Sequence, residues 1–524
     1  RMSAPKFDEG RLMAVLVEPI VSEKATIWIL GDQINRSIAA LTRATPSSHR
    51  ILMVESTALL RSRRWHIQRA HFVICAMRRF AAELRAEGFE VDYRTAESLP
   101  AGLHEHRQAF QPSEVVVTEP SSWSASAMVE RSGCRVVPST QFLCHYQDFA
   151  IWRDEWLQSR KTLKMEDFYR WQRRRLNYLM DSQGEPETGV WNYDSENRQP
   201  PPKDAAEHWP QPLQHELDEL DHQVIAELAP YCTGQLPQGM WATTRQGALE
   251  RLEHFIERVL PEFGPHEDAM TTQSWHLAHS LLSPYMNIGL LHPREVCDAV
   301  QLAYEQGRVS IASAEGFIRQ VIGWREYVWG LYWLKMPEYA GLNVLEAQRD
   351  LPPVFTGQAT TKMRCLSETL ADIDTRAYAH HIQRLMIIGN LCLIAGVNPQ
   401  QLNSWMWANF IDGAEWVMVP NVIGMSQFAD GGQMATKPYA SGGAYIDKMS
   451  DYCKGCFFDR KKRVGDDACP FTTLYWDFMA RHEERFGRNA RVAQQVRAAF
   501  KLSDLEQVRV RAQEVLTQLS AGEL

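Results

Sequence analysis

The chain has 524 residues, of which 45% are hydrophobic and 23% are charged. At roughly 100–200 residues per domain this length suggests more than one domain, and the ordinary apolar content excludes a mainly disordered chain. The formal net charge of −8 argues against nucleic-acid binding over the whole surface, but it leaves room for a local basic groove. Tryptophan is unusually frequent, with 17 residues, and composition alone does not separate core packing from electronic chemistry.

The sequence contains no segment that predicts a membrane span or a secretory signal. A span takes about 20 apolar residues, and the best run, residues 385–397, is interrupted by Gly389 and Asn390. No charged and then apolar stretch with a small-residue cleavage site occurs. We therefore expect a cytoplasmic monomer without a membrane partner, whose ten cysteines are mostly reduced or bound to metal.

Residues 25–150 alternate strands and helices in the way that is typical of an α/β domain, after a mixed extension at residues 1–24. The alternation predicts a doubly wound parallel sheet, and its β-type runs cover residues 25–29, 51–54, 90–93, 115–118 and 135–138. Ligands of such sheets bind beyond the carboxyl ends of the strands, where Gly31, Asp32 and Glu55 lie. This domain has no Gly-x-Gly-x-x-Gly dinucleotide fingerprint.

Residues 151–240 differ in composition from the preceding domain and predict a long linker. They begin with a basic stretch, residues 153–175, which holds eight Lys or Arg and four acids and so has a local net charge of +4. The aromatic residues interleaved with it are Trp152, Trp156, Tyr169, Trp171 and Tyr178. Such a mixture suits a nucleic-acid backbone and stacked bases, and a solvated helix face is an equal alternative. Residues 241–524 have a helical pattern with few strand signals.

A cluster of cysteines near the carboxyl end predicts a metal centre. The pattern Cys453-x2-Cys456-x12-Cys469 places three thiols in a polar loop, where neighbouring thiolates can share one metal centre. Cys365 is the better fourth ligand, because Cys392 lies inside an apolar helical run. The spacing leaves tetrahedral zinc and an iron–sulfur cluster open, and three unrelated reduced thiols are the alternative to both.

Two segments of the helical half carry polar residues whose roles the pattern leaves open. Ser280 and Ser283 lie before a helix start, where hydroxyls and free amides bind phosphate, although plain helix capping is the simpler interpretation. His381 and Arg384 share a helix face, and Asp412 is a suitable partner for a buried arginine. A histidine beside such a pair can donate a proton near neutral pH, while a structural ion pair is the alternative.

The helical half also carries most of the tryptophans. Trp324, Trp329 and Trp333 fall in one predicted helix. Further tryptophans follow at Trp405, Trp407 and Trp416. Helical spacing makes core packing the first interpretation of such residues.

Taken together, these motifs resemble those of the photolyase and cryptochrome superfamily. The segments LSPY at residues 282–285 and QVIGWREY at residues 320–327 resemble its FAD-binding signatures. Three more segments resemble the iron–sulfur bacterial cryptochromes and photolyases, namely HHIQRLM at 380–386, VPNVIGMSQ at 419–427 and ATKPY at 435–439. The cysteine set does so as well, and the resemblance runs from about residue 26 to about residue 490.

The resemblance implies a flavoenzyme that uses light to repair (6-4) pyrimidine–pyrimidone photoproducts in UV-damaged DNA. It implies an all-α FAD-binding domain at residues 241–524, with a [4Fe–4S] cluster region at about residues 365–470. The implied cluster ligands are Cys365, Cys453, Cys456 and Cys469. The implied FAD contacts are Ser280, Leu282, Ser283, Gln320, Trp324, Arg384, Asp412 and Asn421.

The resemblance also implies catalytic, substrate and antenna positions. His381 matches the lesion-side histidine that donates a proton, and His380 and Trp405 are its implied catalytic companions. Substrate contacts are implied at Tyr439, Met425 and Arg198. An antenna resembling 6,7-dimethyl-8-ribityllumazine is implied in the α/β domain, at Glu55, Gly31 and Asp32.

One departure from the family concerns the path that reduces the flavin. The family often has Trp-Tyr where this chain has Trp405-Met406, and it has a second Trp near a position that here reads Phe355. Trp407 or Trp416 could replace the missing relay. Two alternatives to repair stay open: a blue-light-signalling cryptochrome with the same cofactors, and a primase-like iron–sulfur nucleic-acid binder that does not use light.

Overall fold

The computed structural model describes residues 24–524, so the predicted extension at residues 1–24 lies outside the described residues except for Lys24. The amino-terminal part contains a five-stranded sheet with the order β3-β2-β1-β4-β5, in which every neighbouring pair is parallel. The strands are β1 (Ala25–Ile29), β2 (His49–Ser56), β3 (Glu90–Ala96), β4 (Val115–Thr118) and β5 (Arg135–Val137). The chain winds outward from β1 in both directions, which confirms the predicted doubly wound parallel sheet.

Helices cover both faces of this sheet. Ile27 and Ile51 point into one hydrophobic core, while Trp28 and Leu52 point into another on the opposite face. A sheet buried on both faces has continuous apolar strands, which is the pattern that the sequence shows. The covering helices are α2 (Ile67–Ala86), α3 (Leu99–Phe110) and α4 (Trp123–Arg131), while the short α1 (Thr57–Arg61) follows β2 and has no buried residue.

The segment between the sheet and the helical half contains four α-helices, which are α5 (Tyr146–Leu157), α6 (Met165–Leu176), α7 (Ala205–His208) and α8 (Glu219–Leu228), and a 3-10 turn at Asp194–Glu196. Most of the aromatic surface of its basic stretch is turned away from solvent. Trp152, Tyr169 and Tyr178 are buried in the main hydrophobic core, against which Trp156 and Trp171 pack. The hypothesis that the aromatics stack on bases is therefore wrong for Trp152, Tyr169 and Tyr178, which the fold turns inward, whereas Trp156 and Trp171 are only half-buried.

The basic residues of the same stretch divide into two kinds. Arg173 is 1% exposed, and it donates hydrogen bonds to the carbonyl oxygens of Tyr178, Leu179 and Trp191. Arg174 keeps 51% of its side chain exposed. Only the exposed kind can reach a partner molecule, so the local charge of +4 overstates the accessible basic surface.

The remaining chain is helical. Its α-helices are α9 (Arg245–His254), α10 (Ser283–Ile288), α11 (Pro293–Glu305), α12 (Ile311–Ile318), α13 (Glu326–Lys335), α14 (Arg364–Arg376), α15 (Asn390–Ala395), α16 (Pro399–Asn409), α17 (Glu415–Val419), α18 (Gly443–Met449), α19 (Pro470–Arg481), α20 (Glu483–Phe486), α21 (Ala493–Ala499) and α22 (Leu505–Ala521). Four π-helical segments are Phe255–Val259, Arg319–Arg325, Gln383–Gly389 and Pro420–Ser426. Among residues 24–524, none of the helices combines the length and the apolar character that crossing a membrane requires.

Candidate functional site

A cavity of about 540 Å³ opens in the helical half, with further walls from the segment before it. This volume lies in the range of small-molecule and cofactor sites. Eleven of the predicted site residues line this central cavity, namely Arg198, Ser280, Ser283, Gln320, Trp324, His381, Arg384, Asp412, Asn421, Met425 and Tyr439. They come from segments far apart in the sequence, so the fold brings the separate motifs to one place.

Three of the four π-helical segments supply walls of the central cavity. Arg319–Arg325 contributes Gln320 and Trp324, and Gln383–Gly389 contributes Arg384. Pro420–Ser426 supplies two further lining residues, Asn421 and Met425. π-Helical turns interrupt the regular hydrogen-bond ladder and are frequent at functional sites. Their concentration here marks the cavity as more than a packing defect.

An ion pair between Arg384 and Asp412 lies in the wall of the cavity, with 2.9 Å between Nη1 and Oδ1. The Ser283 hydroxyl donates to the second oxygen of Asp412 at 2.7 Å, and the Asn287 amide donates to its backbone carbonyl at 2.9 Å. The Arg384 guanidinium also packs over the Phe410 ring at 4.0 Å. A buried pair that is held from several sides presents both charges to a ligand in a fixed geometry.

The two adjacent histidines are in opposite protonation environments. Enclosure lowers the pKa of His381, but the hydrogen bond and charge of Asp268, 3.3 Å away, outweigh it and raise the pKa above 6.5. Burial holds the pKa of His380 and of His279 well below 6.5, and charge repulsion adds to that effect. His381 keeps 49% of its side chain exposed toward the cavity. Of these three, His381 is therefore the one that can carry a proton near neutral pH.

His380 lies behind this wall, where it is 1% exposed. Its ring stacks on that of His279 with 4.7 Å between the centroids. Neither ring nitrogen of His380 has a hydrogen-bond partner in the described part of the chain, and the same holds for Nε2 of His279. Unpartnered buried polar atoms are rare in proteins. These ring nitrogens are therefore candidates for hydrogen bonds to a group bound in the cavity.

Two acidic residues of the cavity were not found by sequence reasoning. Asp268 binds His381, and Glu267 lines the same wall, where burial raises its pKa to about 7. They lie in a short turn, so no periodic pattern distinguished them from surface acids. Their adjacency was the one available signal, and it did not indicate that they face a histidine more than 110 residues away.

Two further predicted site residues, like His380, are not in the cavity lining. Leu282 is fully buried beneath it, and its backbone N–H donates to the Ser280 hydroxyl. Trp405 donates its indole N–H to the Phe355 carbonyl at 2.8 Å. Its ring is 6.1 Å from that of Phe410, the ring on which Arg384 packs, so Trp405 lies behind Phe410 rather than at the surface of the cavity.

The four predicted cysteine ligands surround a second, much smaller cavity together with Gly443, whereas Cys392 lies inside α15. A Cβ atom on Gly443 would come within 3.1 Å of the Cys469 sulfur, so glycine leaves room for a group there. No three of these four sulfur atoms all lie within 4.8 Å of one another.

The predicted antenna residues lie at the carboxyl edge of the sheet, and their acids already have partners. Glu55 accepts two hydrogen bonds from Arg78, at 2.8 and 3.1 Å, and one from the Tyr93 hydroxyl at 2.5 Å. Asp32, next to Gly31, accepts a hydrogen bond from the Ser121 hydroxyl, and burial raises the pKa of its carboxyl.

Comparison with known proteins agrees with this arrangement. A sequence model of deoxyribodipyrimidine photo-lyase-related proteins matches residues 27–236. The chain is 42% identical over 483 residues to the (6-4) photolyase of Agrobacterium fabrum, an alignment that covers 89% of this chain and 94% of that protein.

Two solved structures share the fold at low identity. The class III photolyase of Agrobacterium tumefaciens is 14% identical with a TM-score of 0.56, over 97% of this chain and all of that one. The cryptochrome of Synechocystis is 15% identical with a TM-score of 0.51, over 92% and 99%. The fold is thus that of photolyases and cryptochromes, and the chain belongs to the same family as the Agrobacterium fabrum (6-4) photolyase.

Proposed function

We propose that the chain repairs (6-4) pyrimidine–pyrimidone photoproducts in DNA with light, using FAD as its electron donor. The observation that carries this proposal is a protonatable histidine, His381, in the wall of the cavity that also contains the Arg384–Asp412 pair. The relative named a (6-4) photolyase, at 42% identity, supports the same substrate.

The residues of the central cavity fit FAD. Ser280 and Ser283 would hold its phosphates, with Gln320 and Trp324 nearby. The Arg384–Asp412 pair would lie beside the ring system, and the Asn421 amide nitrogen donates to the Val417 carbonyl, which leaves its oxygen as an acceptor. FAD, when reduced and excited by blue light, supplies the electron for repair.

Residues of the protein supply the proton and keep the proton donor in its protonated form. The Asp268 carboxylate accepts a hydrogen bond from Nε2–H of His381 and stabilises the imidazolium, which leaves the Nδ1–H for donation to a substrate. His279 and His380 stay neutral, so they do not place a second positive charge beside His381. A positioned acid whose pKa lies near the working pH is the efficient arrangement for general acid catalysis.

DNA would approach the cavity on the side of Tyr439 and Met425. A lesion must leave the duplex to reach the flavin, and a damaged base costs less to flip. Arg198 keeps 62% of its side chain exposed. Burial lowers the pKa of Lys437, and the nearby charges of Arg491 and Arg198 lower it further. Such a basic rim suits the phosphate backbone, and we expect binding to weaken as salt rises.

The four cysteines suit a [4Fe–4S] cluster better than one zinc ion. At a Zn–S distance of 2.3 Å, a tetrahedral site places its sulfur atoms about 3.8 Å apart. In this structure no three of the four sulfurs all lie within 4.8 Å of one another, so they are spaced too widely for one zinc ion. We assign the cluster a structural role, because its ligands lie outside the central cavity.

The finer assignments belong to the same proposal. We place a 6,7-dimethyl-8-ribityllumazine antenna at Gly31, Asp32 and Glu55, at the sheet edge where ligands of such folds bind. We divide the chain into an α/β domain (25–150), a linker (151–240) and a helical domain (241–524). We also propose that the protein is a cytoplasmic monomer.

The proposal is tested by irradiating the purified, chemically reduced protein with an oligonucleotide that contains one (6-4) photoproduct. We expect loss of the lesion in blue light and none in the dark. Flavin absorption without lesion loss would instead favour the blue-light-signalling alternative. A protein without flavin absorption would remove both light-dependent functions.

A further inference from the structure

The short connection between α16 and α17, which carries Asp412, is held by a side chain of the α/β domain. Arg69, in the first turn of α2, reaches across to this connection, where its Nη2 donates a hydrogen bond to the Gly413 carbonyl at 2.6 Å. The Asn287 amide of α10 donates to the preceding carbonyl, that of Asp412, at 2.9 Å. Two successive peptide carbonyls are therefore held by side chains from two different parts of the chain.

We propose that Arg69 is a positioning residue of the flavin site, which holds the Gly413 carbonyl and so keeps the Asp412 carboxylate against Arg384. The inference rests on the proposed function, because it needs a flavin in the central cavity. It adds the α/β domain to the parts of the protein that control the flavin. Arg69 itself does not line the cavity, so it acts through Asp412.

The backbone at Gly413 leaves no space between the connection and the arginine. A Cβ atom built at this position would lie 2.4 Å from the Trp407 carbonyl oxygen and 3.1 Å from Nε of Arg69. The first distance is too short for a van der Waals contact, so only glycine lets the chain approach so closely. The Gly413 N–H also donates to the Phe410 carbonyl at 2.9 Å. Arg69 thus lies directly against a tight turn whose Gly413 peptide groups are both bonded.

The Arg69 side chain is itself fixed in place. Its guanidinium packs over the ring of the buried Trp65 at 4.4 Å. Burial lowers the pKa of Arg69 to about 10, with the charge of Arg63 adding to this effect and that of Asp412 opposing it. The guanidinium therefore stays protonated at neutral pH. A buried cation is unfavourable unless it is compensated, and here the Gly413 carbonyl and the charge of Asp412 compensate it.

Neighbouring contacts tie the start of α2 to the helical half. The His66 N–H donates to the carbonyl of Ala408 in α16 at 3.0 Å, and its ring Nε2 donates to the Asp374 carbonyl at 2.9 Å. The Gln68 amide donates to the Thr375 carbonyl at 2.6 Å. Because α2 is a 20-residue helix of the sheet domain, the connection that carries Asp412 is anchored to a rigid element rather than to a loop.

The alternative role for Arg69 is to hold the two halves of the protein together without affecting the flavin. The charge of the side chain separates the two roles. Reduction adds negative charge to the cavity, and a fixed cation near Asp412 favours it, because water screens a buried charge only weakly. Removing Arg69 should therefore make the flavin harder to reduce, whereas loss of a docking contact alone should not.

The test measures the midpoint potential of the bound flavin by spectroelectrochemical titration, without DNA, and the dissociation constant of the flavin. Arg69→Met removes the charge and the hydrogen bond. It is expected to shift the potential to more negative values and to weaken flavin binding by about tenfold. Arg69→Lys keeps the charge and an N–H donor, and it is expected to restore both values toward those of the wild-type protein.

Two control variants are matched to Arg69→Met. Arg107 of α3 is also half-buried and donates to the Ser132 carbonyl at 2.7 Å inside the α/β domain, so Arg107→Met removes the same kind of contact away from the flavin. Gln68→Ala removes a docking contact in the same turn of α2 as Arg69. Both control variants are expected to keep the wild-type potential and flavin affinity.

A wild-type potential in flavin-bound Arg69→Met would overturn the proposal. An equal shift in Gln68→Ala would also overturn it, because the effect would then belong to domain docking. Should Arg69→Met bind no flavin, the other two variants of this turn decide: flavin bound by both Arg69→Lys and Gln68→Ala supports positioning, and flavin lost by either contradicts it. Lesion repair by the chemically reduced wild-type protein tests the proposed function separately, so the two failures are distinguishable.

Discussion

The central cavity and the carboxyl edge of the sheet both carry acids predicted to bind a cofactor, but their polar groups are satisfied differently. Around the cavity, atoms of His279 and His380 have no partner in the described chain, and open volume adjoins the same wall. At the sheet edge, the Glu55 carboxylate already accepts three hydrogen bonds, two from Arg78 and one from Tyr93. The difference teaches that unpartnered polar atoms beside open space indicate a ligand more strongly than the presence of acids does.

The largest expected difference between the two regions is in flavin binding, and it is tested with two ion pairs of similar burial, Arg384–Asp412 and Arg78–Glu55. Arg384→Met leaves Asp412 buried without its cation, which costs about 3–5 kcal/mol, and we expect the purified variant to lose its flavin. Arg78→Met breaks the matched pair at the sheet edge and is expected to keep flavin. The measurement is flavin content by absorption. Equal flavin content in the two variants would show that the ion pair of the cavity is no more important for flavin binding than the ion pair of the sheet edge.

The cysteine cavity provides the next test. Cys365→Ala removes a proposed ligand and is expected to lose the iron content of the protein. Cys392→Ala is the control, because Cys392 is also buried but lies outside the cysteine cavity. Iron and zinc are measured by metal analysis. Zinc in the wild-type protein would contradict the cluster.

The pH dependence of repair tests whether His381 is the proton donor. His381 must be protonated to act, and its pKa is raised by Asp268, so repair is expected to be full below that pKa and to fall about tenfold per pH unit above it. Asp268→Asn removes the stabilising charge and is expected to shift the fall to lower pH. Single-turnover repair of prereduced enzyme across pH measures both profiles. A profile that Asp268→Asn leaves in place would show that another group supplies the proton.

The smallest effect on repair is expected at the sheet edge. Glu55→Gln keeps the shape of the side chain but weakens charge-assisted hydrogen bonds worth about 1.5–3 kcal/mol each. We expect a lower antenna content and unchanged repair under saturating direct excitation of the flavin. Antenna absorption and the repair yield are measured on one sample. Lost repair with full antenna content would reverse the assignment of the two regions.

Much of the fold was predictable because strand periodicity is a local signal. The run at residues 115–118 became β4 with the predicted bounds, whereas β2 extends beyond its apolar run to include His49 and Ser56. The aromatics of α5 and α6 were misread, because alternation of charge and aromatic residues does not indicate which helix face is buried.

The site was predictable only where its residues carry motifs. Arg384 and Asp412 were paired from the need of a buried arginine for a carboxylate, and the structure places them 2.9 Å apart. Glu267 and Asp268 were missed because contacts of a turn depend on the tertiary fold. The contact of Arg69 with Gly413 was equally hidden, since two distant parts of the chain must pack before it forms.

The most direct test of the central claim is the single-turnover repair yield of prereduced His381→Ala, with His222→Ala as an exposed histidine control. General acid catalysis contributes about 10²–10⁴-fold. The account predicts a loss of that size in His381→Ala, with flavin still bound, and wild-type repair in His222→Ala. Wild-type repair by His381→Ala would contradict the assignment of the proton donor and, with it, the proposed chemistry of the cavity.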